Sequence, residues 1–134
     1  MGRTVKHYPV LTAKAGTGVG NTIDVRDYRN VVISIGTSGS ANMTVKCKGA
    51  IGEVNAAPSF AEASKAISNQ WEYIQMVDLA DGTAYSGSTG IVFSGTDNVR
   101  LLAVNVDNLS YLTLDVTARS AGTVTATLSG ASNE

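Results

Sequence analysis

The stretch Tyr111–Ser129, YLTLDVTARSAGTVTATLS, decides the fold class. Leu112, Leu114 and Val116 alternate with Tyr111, Thr113, Asp115 and Thr117. After Arg119-Ser120-Ala121-Gly122, Val124, Ala126 and Leu128 alternate with Thr123, Thr125, Thr127 and Ser129. Period-two alternation on both sides of a short Gly-containing loop predicts an antiparallel hairpin with one buried face. Thr is stiff at χ1 and fits a pleated surface, so the other face reads as a threonine ladder.

The same style extends upstream. Val99 to Val106 is almost continuously apolar, broken by Arg100 and Asn105, which predicts a strand covered on both faces, with a partner subunit as one candidate cover. Val31, Ile33 and Ile35, the turn residues Thr37-Ser38-Gly39-Ser40, and then Met43, Val45 and Cys47 predict a second hairpin. Weaker strands are expected at 5–11, 20–25, 71–79 and 90–93, with Asp81-Gly82 as a turn. One segment departs from the pattern. In 58–67, Ser59 and Glu62 have capping-box spacing and Phe60, Ala63 and Ile67 share a helical face, so a short helix or ordered loop is expected there. The tail 130–134 reads as frayed.

Composition agrees. The 134 residues hold 15 Val, 14 Thr, 13 Ser and 14 Gly against 2 Pro, a β-protein profile. The expectation is one all-β domain over 1–134, an antiparallel β-sandwich of about 7–9 short strands, either jelly-roll or Ig-like. The 16 Ala make the 43% hydrophobic content a thinner core than it sounds. A net charge of -1 argues against an electrostatic nucleic-acid binder, which displaces counterions with a basic stripe. No apolar run approaches the ~18 residues of a membrane span. Met1 to Leu11 has no apolar signal core, and Lys6 stands where a myristoylation signal needs Ser or Thr. No nucleic-acid or membrane partner is therefore expected.

Candidate chemistry is sparse. Gly16-Thr17-Gly18-Val19-Gly20 lacks the Gly-Lys-Ser/Thr ending and the following helix of a phosphate loop, so it reads as a turn. His7 is the single histidine and has no nucleophile or carboxylate at a telling spacing. Cys47, the single cysteine, falls on the inward face with Met43 and Val45 and reads as a small buried residue. Asp78, Asp81, Asp97 and Asp107 lie at turns without a calcium-loop pattern. No catalytic residue, metal site or cofactor is expected. Trp71, Tyr73, Tyr85 and Tyr111 read mainly as core or subunit-contact aromatics. As an alternative from a different functional class, Trp71, Tyr73 and the nearby tyrosines could stack on a pyranose as a carbohydrate-binding module.

Several stretches resemble a known group. Asp97-Asn98-Val99-Arg100-Leu101-Leu102-Ala103-Val104-Asn105-Val106, then 109–119 (LSYLTLDVTAR) and 121–126 (AGTVTA), resemble small β-sandwich virion proteins of tailed bacteriophages. These are capsid decoration, head-fibre and tail accessory proteins. Residues 70–79 (QWEYIQMVDL) with Asp81-Gly82 have the same flavour, so the resemblance covers 70–129. It implies a structural role, with no shared active site. The leading expectation is a capsid decoration protein, made in the host bacterial cytoplasm and located in the virion. It would bind the outer head surface and the major capsid protein as a homo-oligomer, a trimer being one arrangement. A tail or neck accessory is the structural alternative. The segment 2–11 is a candidate arm for a neighbour's sheet. The self-association candidates are Val5, His7, Tyr8 and Val10 in that arm, with Trp71, Tyr73 and Tyr111.

Overall fold

The computed structural model describes residues 3–51 and 70–133. The segment expected as a short helix or ordered loop, 58–67, lies outside the described residues. Every regular element described is a strand: β1 Arg3–Lys14, β2 Gly18–Val19, β3 Ile23–Asp24, β4 Asn30–Ile51, β5 Gln70–Ile74, β6 Met76–Asp78, β7 Ala84–Tyr85, β8 Ile91–Ser94, β9 Val99–Asn105 and β10 Tyr111–Asn133. All pairings are antiparallel. The fold is all-β and sandwich-like, as the alternation predicts.

The two predicted hairpins are absent, and the reason shapes the molecule. Each expected hairpin is one long strand, 22 residues for β4 and 23 for β10. β4 and β10 pair with each other along their whole length, from Tyr111↔Ala50 to Gly130↔Val31. The turn residues do not reverse the chain. They bend both strands at the same place. Gly39 and Ser40 take φ of 78° and 52°, Gly122 takes 84°, and the register shifts between Val116 and Thr123. Left-handed residues and local register shifts that cancel across the corner make β-bulges, which bend a ribbon without ending it.

The bend lets one ribbon serve two layers. In the first, the Val31–Gly36 part of β4 and the Val124–Gly130 part of β10 are flanked by β9 and β1, with β6 and β7 beyond β9. In the second, the 42–51 part of β4 and the 111–119 part of β10 are flanked by β8 and β5 on one side, and by β2 and β3 on the other. Val31, Ile33 and Ile35 share one buried cluster with Met43, Val45, Cys47, Leu112, Leu114, Val116, Val124, Ala126 and Leu128. Full burial of each Leu or Ile stabilises the fold by about 1.5–3 kcal/mol, so this shared core dominates the energetics.

The segment expected as an arm is β1, which within the single chain pairs with β10 from Arg3↔Asn133 to Lys14↔Val124. The same pairing orders the tail expected to fray as far as Asn133, because Arg3 to Lys6 lie opposite it. β9 is covered on one face: Leu102 and Val104 are buried, while Val99 is 74% and Leu101 48% exposed. Its other face lies open because no element of the described chain packs over it.

Candidate interaction surface

The candidate residues fall into three groups. On β1, odd and even side chains point to opposite faces. Val5 and His7 are exposed, whereas Tyr8 turns inward and its hydroxyl lies 2.8 Å from that of Tyr28. Burial and this hydrogen bond push the Tyr28 phenol up to about 12. Val10 is 1% exposed and belongs to the core, so its side chain serves this chain's own interior.

Trp71 and Tyr73 share a strand face, as their spacing predicts. Tyr111 joins that face two strands away, since Ala50 pairs with both Trp71 and Tyr111. Tyr111 is 5% exposed, with the Arg26 guanidinium 5.5 Å from its ring centre. Tyr73 is half-buried and its hydroxyl donates to Asp115 Oδ2 at 3.1 Å. Burial, then the Asp115 charge, raise its pKa. The Lys46 and Lys48 ammoniums lie 4.8 and 4.7 Å from the Tyr73 ring centre, and Lys48 also lies 3.8 Å from Asp115. A ring engaged by two cations is poorly placed to stack on a sugar. The Tyr85 hydroxyl is engaged elsewhere, accepting from Arg100.

The third group was not anticipated as a set. Val99 and Leu101 stand on the open face of β9, and Leu79, 54% exposed, lies beside them because its amide donates to the Leu101 carbonyl. These three line one shallow groove with Asp78, Ala80, Asn98 and Arg100. Beneath it, Arg100 Nη1 donates to Asp78 Oδ2 at 2.8 Å and to the Tyr85 hydroxyl at 3.1 Å. Asp78 is 3% exposed, and its other oxygen accepts from the Ala80 amide. The charge is thus neutralised below an apolar surface strip. The continuous apolar run of β9 was the signal that could have found it.

The remaining polar positions are structural. Cys47 is fully buried, which pushes its thiol up. Gly18–Val19 pairs with β10, and the strand β3 follows it. Asp81 accepts from the Thr83 amide, and Asp97 accepts from the amides of Ser40 and Ala41 at the ribbon's bend. Among the described residues, no three His, Cys, Asp or Glu side chains come together as a metal site.

Two solved structures have a similar fold. The SPBc2 prophage-derived protein YomS superposes with a TM-score of 0.70 over 98% of this chain and 96% of its own, at 13% sequence identity. The PBSX exported protein XepA gives the same TM-score over 98% of this chain, at 14% identity. Only 39% of XepA is covered, so this chain spans about two fifths of that protein. At such identities the likeness establishes a shared fold. No protein-family model and no curated protein matches the sequence.

Proposed function

We propose that this chain is a non-enzymatic structural subunit of a tailed-phage particle. In this reading it is a decoration protein seated on the outer surface of the head, acting as a homo-oligomer with the major capsid protein as its partner. The observation that carries the reading is the end-to-end likeness of its fold to YomS, a prophage-derived protein of nearly the same extent. The surface agrees with it. Val99, Leu101 and Leu79 form an exposed apolar strip, and such strips mark contact surfaces. A decoration subunit needs a stable shape and several modest contacts multiplied by symmetry.

The test is to purify phage particles made with and without the gene and compare them by electron microscopy. Added density on the head, with the chain present in the particle, is the expected result. Density at the neck or tail overturns the head assignment and leaves a virion role. Absence of the chain from purified particles overturns the virion role.

A further inference from the structure

We propose that β1 is an exchangeable strand: in the homo-oligomer its place against β10 is taken by β1 of a second copy of this chain. The inference rests on the homo-oligomer reading above and specifies how the copies are joined. Three observations carry it.

The first is position. β1 lies at the edge of its sheet, with β10 on one side, so leaving that slot breaks a single ladder. The second is the hinge. Three residues, 15–17, connect β1 to β2. Just before them Ala13 is held at φ 43°, a left-handed conformation disfavoured for a residue with a Cβ. The register slips twice on the approach, between Pro9 and Leu11 and between Leu11 and Lys14. Gly16 follows with open space around it. A short connection under strain is a condition that favours exchange between identical chains, because extending it relieves the strain while the strand's contacts outside the hinge are made again in the neighbour.

The third observation is that β1 carries its own anchors. Val10 and Leu11 enter the core, the Tyr8 hydroxyl meets Tyr28, and Gly20, Asn21 and the Pro9 carbonyl close the space around them. Asn21 donates from its amide to the Val10 carbonyl and from its side chain to the Pro9 carbonyl. Tyr28, Gly20 and Asn21 belong to the receiving body, while the Pro9 carbonyl travels with β1, so an incoming β1 finds the same seat. Exchange then remakes the ladder from Arg3 to Leu11 and the core contacts, and gives up only the Ala13 amide's bond to Thr125 Oγ1 and the Lys14↔Val124 pair as 13–17 straightens.

The test pairs cysteines across the β1–β10 ladder. His7 lies opposite Ser129 and Thr4 opposite Ser132. These pairs differ in parity, so one of them is the closely spaced type that a disulfide can bridge. The variants His7→Cys/Ser129→Cys and Thr4→Cys/Ser132→Cys are oxidised as native oligomers and run on a denaturing, non-reducing gel. Covalent multimers are the expected result, and their fraction falls about fivefold with Ala13→Gly, which removes the strain. The four single-cysteine variants report any bridge to the buried Cys47. An oligomer whose cross-links are all within one chain overturns strand exchange and leaves the oligomer intact. A wild-type chain that sediments as a monomer at every concentration overturns both.

Discussion

Gly39 and Gly122 face each other across the bend of the β4–β10 ribbon, so that a Cβ added to Gly39 would come 3.3 Å from the Gly122 Cα. Both take positive φ, and the Ser38 and Thr123 hydroxyls meet beside them at 2.8 Å. Two strands bend together here because neither backbone carries a side chain into the corner.

The two glycines are not equivalent. A Cβ on Gly122 would lie 2.5 Å from the Ala41 Cα and 2.7 Å from the Ser38 carbonyl oxygen, both backbone atoms that cannot yield cheaply. Gly122→Ala is expected to cost about 2–4 kcal/mol, combining left-handed strain with overpacking. Gly39→Ala, with the looser contact, is expected to cost about 1 kcal/mol. Urea unfolding of both variants measures the difference, and equal losses would refute the corner geometry.

The Asp78–Arg100 pair predicts a strong coupling. Arg100→Met leaves a carboxylate of 4% side-chain exposure held by the Ala80 amide without its guanidinium. Because Arg100 itself is one-third exposed, a loss of about 2 kcal/mol is expected, below the range for fully buried pairs. Replacing both residues by apolar ones is expected to cost less than the two single losses added together. A double-mutant cycle that shows simple additivity would count against the pair.

Alkaline pH should weaken the fold through Tyr28. Its folded pKa, about 12, lies above the ordinary value of 10.0, so the folded state holds the phenolic proton more tightly than the unfolded state. The stabilisation is complete below pH 10 and is lost as pH rises from there towards 12. Tyr28→Phe should lose about 1 kcal/mol at neutral pH with the Tyr8 hydrogen bond, and show a shallower alkaline decline. Thermal melts from pH 8 to 11 compare the two slopes, and parallel curves would exclude Tyr28 as the source.

The apolar strip on β9 makes the reverse prediction, an effect on association with little effect on folding. Val99→Ser combined with Leu101→Ser is expected to change stability by about 0.5 kcal/mol or less, as surface substitutions do. The same variant should lose binding to phage heads in a particle pull-down. Retained binding would assign the contact to another face.

The fold class was legible because alternation survives in every long strand: Leu112, Leu114 and Val116 point inward as their spacing requires. Topology was not. The Ser38-Gly39-Ser40 and Ser120-Ala121-Gly122 clusters carry the chemistry of a reversal, and a single strand holds no sign that a partner bends at the same point. That information sits in the pairing of Thr123 with Ser38, far apart in sequence. The site was half legible. Trp71 and Tyr73 share a face as predicted, but the tyrosine's two cations come from β4, and a strand's neighbours are set by topology. Leu79 joins Val99 and Leu101 through a backbone hydrogen bond that no sequence pattern announces.

The pairing of β10 with β1, β2, β3 and β4 also sets an order of events during synthesis. Each of those four strands leaves the ribosome before the strand that completes its ladder. Until Tyr111–Asn133 emerges, Val31, Ile33, Met43 and Val45 lack their neighbours on β10, with only β9 and β8 available on the other side, and long-range pairings of this kind close slowly. The interval between translation and closure is therefore when this polypeptide is most exposed to aggregation and to capture by chaperones.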